Sequence, residues 1–207
     1  MGERMGALER RKIRTRRALV ESALRLFAEQ GYERTTLAQI CERAEIGERT
    51  FFNYFDGKDE LVFFDDERRI ELALDLVAGR APGDSVVDLL LRVIDITLAD
   101  TLSDNPLALE FAPLRRRLVR EIPALQARYL RLLLEVERRL AVAFAEAFPD
   151  QLDPVSAAAA VGAMVGAVKT AGLLALSEQV GEAEVRALTR RVADIVVAGV
   201  GSLDRPG

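Results

Sequence analysis

The chain has 207 residues, half of them hydrophobic, and a formal net charge of −4. It has no histidine and a single cysteine, Cys41. This excludes histidine-based metal sites and general bases, cysteine-cluster metal sites and an internal disulfide. Its length and apolar content supply one sizeable core, or a small domain and a larger one.

The charge is unevenly spread. Residues 4–17 carry Arg4, Arg10, Arg11, Lys12, Arg14, Arg16 and Arg17 against Glu9 alone, the composition of a phosphate-facing basic arm. A first helix is predicted from about Arg10 to Glu29, with Val20, Ala23, Leu24 and Phe27 as its apolar stripe and Gly31 as its stop. Thr36 and Gln39 have the spacing of a capping box. Ile40, Cys41 and Ala44 then form one apolar face of a second helix, where Cys41 reads as a small core residue rather than a redox sensor. Ala44-Glu45-Ile46-Gly47 breaks that helix, and Gly47 is a tolerable N-cap for the next. This third helix is predicted from Glu48 to Phe55. Phe51 and Phe55 point inward at i, i+4 spacing, and Arg49, Thr50, Asn53 and Tyr54 point to solvent. A short helix that buries two aromatics and exposes Arg, Thr and Asn suits the major groove of DNA. Asp56-Gly57 is a turn. Lys58 opens a fourth helix through Leu61, Phe64, Ile70 and Leu74 to about Ala78, ended by Gly79 and Pro82-Gly83.

Gly31-Tyr32, Thr35-Thr36, Ile40, Ala44, Ile46, Thr50-Phe51-Phe52-Asn53-Tyr54-Phe55 and Lys58-Asp59-Glu60-Leu61 together resemble the N-terminal signature of TetR/AcrR-type transcriptional regulators. The resemblance runs from about Arg10 to Leu61. It implies that Glu48 to Tyr54 is a recognition helix. Arg49 can then pair with a guanine and Asn53 with an adenine, while Thr50 reaches a phosphate or a thymine methyl. Glu48 repels phosphate but can accept from a cytosine amine. Tyr54 and Lys58 match positions that contact backbone phosphate, and Thr36 can offer its hydroxyl and N–H to a phosphate. Lys58 in a first helical turn opposes the helix dipole, which argues for a functional reason. The plainer alternatives are that Arg49 is a solvated charge and Lys58 a surface lysine. The sequence departs from the family pattern at Glu45 and Gly47 in the turn, where Gly and then Ser are frequent. Glu45 is expected to adopt a left-handed conformation. Phe52 replaces a frequent tyrosine and keeps only van der Waals contact to a thymine methyl or sugar. Asp56-Gly57 replaces a Pro-Ser-like pair. These changes leave docking intact and put the operator's identity in doubt.

Beyond residue 80 the predicted elements are again helical, with no β-type alternation and no internal repeat. Asp84 caps a helix to about Thr101, Asn105-Pro106 opens a shorter one, and Pro113 and Pro123 mark breaks. Pro123 to Phe148 is a long amphipathic helix carrying Leu130, Leu133, Leu140 and Phe144. Asp153-Pro154 is an N-cap and N1 pair for an Ala- and Gly-rich helix over 154–179. A last helix covers 182–201, and the tail from Ser202 frays. The stretch Val155 to Leu176 has Lys169 as its only charge and is long enough to span a bilayer. Its Ala and Gly gain little from lipid, and a central lysine costs on the order of 3 kcal/mol on insertion. Small residues Ala159, Gly162, Ala163, Gly166 and Ala167 instead offer a face that another helix can approach closely, and a helix this apolar is expected to be buried on more than one side. The resemblance implies that 154–179 and 182–201 build a four-helix dimer interface through Gly162, Ala163 and Gly166. The alternative is a helix buried inside a monomer.

The expected protein is therefore all-α: a flexible basic arm over 1–9, a helix-turn-helix domain over 10–57, and an effector-binding and dimerisation domain over 58–207. By resemblance it is a homodimeric regulator of a palindromic operator, a repressor released by a small-molecule effector. The competing reading is a DNA-bound architectural or cell-division factor of the same fold. Phe111, Tyr129 and Lys169 are the candidate effector contacts, being aromatic or charged groups on mainly apolar helices. Arg115-Arg116-Arg117 reads as a solvated face. No phosphate-cradling Gly loop or nucleophile–base pair suggests an enzyme, and no cofactor is implied. The N-terminus is basic and lacks an apolar export segment, so a cytoplasmic location is expected.

Overall fold

The computed structural model describes residues 6–99, 106–175 and 182–200, and among them every regular element is helical. The chain divides into two compact units, Met1–Asp65 and Asp66–Gly207. Residues 58–65 thus lie with the first unit, whereas the sequence reading placed the boundary after residue 57.

In the first unit, α1 spans Ala7–Gln30, so the last residues of the expected flexible arm are helical. Leu19, Val20, Ala23, Leu24 and Phe27 form its buried face. Gly31 closes it at φ 87°, its N–H donating to Phe27 O. A side chain at that φ is strained, so glycine is required there. Helix α2 spans Leu37–Arg43 and starts on a complete capping box: Gln39 N donates to Thr36 Oγ1 at 3.2 Å, and Thr36 N donates to Gln39 Oε1 at 2.9 Å. Ile40 and Cys41 are buried. Burial, and then the nearby Glu48, push the Cys41 thiol up, the state of a core thiol rather than a reactive thiolate. Glu45 adopts the expected left-handed conformation, with φ 56°.

Helix α3 covers only Glu48–Phe51, one turn where two were expected. Asn53 N and Tyr54 N donate to the carbonyls of Thr50 and Phe51, three residues back. The helix thereby tightens into a turn. Phe51 and Phe55 remain on the inside, their rings 5.7 Å apart. The predicted helix from Lys58 to Ala78 is likewise divided. A 3₁₀ turn, Glu60–Phe63, buries Leu61, Val62 and Phe63, and α4 begins only at Asp66.

The second unit contains α4 (Asp66–Ala78), α5 (Val86–Ala99), α6 (Pro106–Glu110), α7 (Ala112–Glu121), α8 (Pro123–Ala147), α9 (Pro154–Ala175) and α10 (Glu182–Val200). Residues 100–105, 176–181 and 201–207 fall outside the described residues, and with them the predicted ends near Thr101, residue 179 and Ser202. The core joins Val77, Leu89, Val93, Leu140, Phe144, Phe148, Val161 and Met164. Asp84 is not the cap of α5. Ser85 Oγ accepts from Asp88 N at 3.1 Å, while the Asp84 carboxylate accepts from Ala81 N and holds Arg92 through two 2.8 Å contacts. The stripe of α8 differs from the expected one at Leu130, which is 57% exposed, whereas Leu140 and Phe144 are buried.

Helix α9 is apolar along its length, and the stretch Pro154–Ala171 is long and apolar enough to cross a membrane. Only 28% of that stretch is buried within the chain. Val155, Ala158, Ala159 and Ala163 on it are exposed.

Candidate nucleic-acid interface

The first unit is electrically balanced, with twelve basic and twelve acidic residues among positions 1–65. Any attraction for a polyanion must come from where the charges sit. On α1, Arg10, Arg14 and Arg17 recur at i, i+4 and i+7, hence on one face, and all three are exposed. Arg16 is different. Its guanidinium lies 4.6 Å from the centre of the Phe55 ring and donates to Phe64 O at 2.5 Å. Burial lowers its pKa, opposed by the nearby Glu60 and Asp65. Arg16 is therefore not one of the arm's phosphate-facing cations. Its phase with Val20, Ala23 and Phe27 was the available signal that it turns inward.

Glu48, Arg49, Thr50, Phe52 and Asn53 are exposed and Tyr54 is half-buried. They are carried on one helical turn and the bend after it. Beneath them Phe51 is 0% exposed, and its ring meets the Phe52 ring edge-on at 5.4 Å. Phe52 itself is 54% exposed. The large aromatic beneath holds the turn rigidly, and the polar side chains above it are free to read a surface.

Two of the expected contacts are placed otherwise. Thr36 is exposed, but its N–H already donates to Gln39, so the paired offer of hydroxyl and N–H to a phosphate does not stand. Lys58 does not open a helix. Its ammonium donates to Tyr32 O at 3.0 Å and Thr35 O at 3.2 Å, and lies 4.2 Å from the Tyr32 ring centre. The helix-dipole argument therefore falls away. Around the same turn, Thr35 Oγ1 donates to Gly31 O, and Gln30 Nε2 donates to Thr35 Oγ1 and Gln39 Oε1. Lys58 belongs to the network that fixes the α1–α2 turn, and so the start of α2.

In the second unit, Phe111 is buried at the N-cap of α7, Lys169 is half-buried on α9, and the Tyr129 phenol is pushed up to about 12, first by burial and then by Asp66. A phenol raised in the folded state releases its proton later than in the unfolded chain. Tyr129 thus costs stability as pH rises above its ordinary value near 10. An alkaline absorbance titration of the three tyrosines is expected to show a late component near pH 12 that Tyr129→Phe removes. A single early step identical in both proteins counts against this burial.

Gly166 was grouped with Gly162 and Ala163 as an outward face. A Cβ built on Gly166 lies 3.4 Å from Glu137 Oε1, so it faces α8 of its own chain. Gly162 has open space above it and Ala163 is exposed. The outward face of α9 is Val155, Ala158, Ala159, Gly162 and Ala163.

Residues 19–63 match the family model described as bacterial regulatory proteins, tetR family. Over those residues the chain is similar to the tetR family. It is similar to the HTH-type transcriptional regulator TcmR of Streptomyces glaucescens, with 36% identity over 141 residues, covering 66% of this chain and 61% of the relative. It thus spans about three-fifths of that relative's length. A putative TetR-family regulator from Mesorhizobium loti has the same fold at 16% identity and a TM-score of 0.57, covering 91% of this chain and 98% of the other. The regulator FadR of Bacillus subtilis, solved with stearoyl-CoA, superposes with a TM-score of 0.56 at 18% identity, covering 88% and 98%. The residues that the family model matches contain the whole segment from Glu48 to Tyr54.

Proposed function

We propose that the protein is a cytoplasmic homodimer that binds a palindromic DNA operator and represses transcription until a small molecule occupies the second unit. The observation that carries this reading is the exposed segment Glu48, Arg49, Thr50, Phe52, Asn53 and Tyr54 seated on buried Phe51 and Phe55. Arg49 and Asn53 have the donors to read guanine and adenine edges, and the Arg10–Arg14–Arg17 row supplies phosphate contacts. Two recognition segments related by a two-fold axis fit half-sites about 34–36 Å apart. The outward face of α9 joins the two copies. That FadR was solved with an acyl-CoA supports an effector site between the helices of the second unit.

The reading is tested by selecting DNA fragments with the purified protein and sequencing them, which is expected to return an inverted repeat. On that operator, Arg49→Ala costs roughly 1–3 kcal/mol and relaxes specificity at one base pair. Lys58→Ala acts differently from a phosphate contact. It removes two charge-assisted hydrogen bonds, lowering folding stability by roughly 1.5–3 kcal/mol, and leaves the salt dependence of binding unchanged. A salt slope that flattens by about one unit in a stably folded Lys58→Ala protein would return Lys58 to the phosphate-binding set. Arg49→Ala with unchanged affinity and specificity would remove Arg49 from the interface.

A further inference from the structure

The arginine triplet on α7 is not a solvated face. Arg115, Arg116 and Arg117 are each at least partly buried, and the Arg115 side chain is only 13% exposed. Arg115 Nη2 lies 3.9 Å from Asp66 Oδ1, and Arg69 Nη2 donates to the same oxygen. The Arg69 and Asp66 side chains are 15% and 14% exposed. One carboxylate oxygen thus serves two guanidiniums, away from water, where α4, α7 and α8 meet. Arg116 stands beside them, its pKa lowered by burial and then by Arg120 and Arg115. Tyr129, from α8, is close enough to feel both Asp66 and Arg69. Phe111, which is buried, lies one turn before Arg115, its carbonyl accepting from Arg115 N.

Taking guanidiniums out of water costs several kcal/mol per ion unless an anion answers them, and Arg presents a planar fork that matches a carboxylate in two-point fashion. Asp66 is the first residue of α4 and of the second unit; Asp65, the last residue of the first unit, is buried near Arg16. An anion that competes for the arginines of Asp66 therefore acts at the first turn of α4.

We propose that the effector of this regulator is a small organic acid whose carboxylate takes the place of Asp66 on Arg69 and Arg115, releasing the start of α4. This rests on the effector-controlled reading above and names its chemistry. Benzoate, naphthoate and octanoate, each paired with its neutral amide, are titrated by calorimetry into the full-length protein without DNA. At least one acid is expected to bind at least tenfold tighter than its amide. Arg115→Met should weaken the acid at least tenfold and leave the amide unchanged, with Arg115→Lys intermediate. Asp66→Asn removes the competing carboxylate and should tighten the acid several-fold, an effect that a merely structural role for Asp66 does not produce. Circular dichroism confirms that each variant is folded; where Arg115→Met is not, Asp66→Asn alone decides. The proposal is overturned if acids and amides bind alike, if neither binds wild type or Asp66→Asn, or if Asp66→Asn weakens the acid. Because the titration contains no DNA, its failure leaves the operator reading intact, and a failure to select any operator leaves the titration readable.

Discussion

Ala163→Arg is expected to convert the dimer into monomers and to abolish operator binding. Val155 is 77% exposed, Ala158, Ala159 and Ala163 are exposed beside it, and nothing lies within 4 Å of a Cβ on Gly162. Such small residues let a second helix approach closely, and in a two-fold interface each residue is met from both sides. An arginine there buries an unpaired charge at about 3–5 kcal/mol, and symmetry doubles it to roughly 6–10 kcal/mol. At 1.4 kcal/mol per tenfold change, association weakens by a factor on the order of ten thousand or more. Sedimentation at micromolar concentration checks this: wild type should run as a dimer and the variant as a monomer. A variant that sediments with wild type removes α9 from the interface. A wild-type monomer that partitions into detergent micelles would instead favour a membrane as the cover of this helix. Gly166→Arg, by contrast, points toward the Glu137 carboxylate within its own chain and is expected to disturb association less.

The second large effect is Phe51→Ala. Phe51 is fully buried beneath the recognition segment, in contact with Phe52 and Phe55. Its removal costs about 3–5 kcal/mol, a large fraction of what a unit of some sixty residues has to lose. Operator binding and the helical signal of the first unit should be lost together on mild warming. The neighbouring change Phe52→Ala is the control. Phe52 is 54% exposed, so stability should move by no more than about 0.5 kcal/mol, and any loss should appear in DNA affinity alone. Equal destabilisation by both changes, measured by thermal unfolding, would contradict the division between supporting and reading aromatics.

What the sequence by itself determined was local. The capping box at Thr36 and Gln39, the stop at Gly31 and the inward pair Phe51 and Phe55 all stand where spacing and residue type put them, and Glu45 is left-handed as the resemblance implied. Each depends on partners within about one or two helical turns, so the periodicity of the backbone carries the information. Tertiary structure decided the rest. Lys58 donates to carbonyls 23 and 26 residues earlier, and Arg16 reaches a carbonyl 48 residues later. A long cationic side chain is equally at home in solvent or on a buried carbonyl, and only the packed neighbours choose between them. The same holds for Arg115, whose carboxylate partner lies on a distant helix, and for Gly166, which small-residue spacing assigned to a second chain but which packing turned toward α8. Composition separated apolar faces from polar ones. Which apolar face meets its own chain, and which is left for another, was settled only when the helices were brought together.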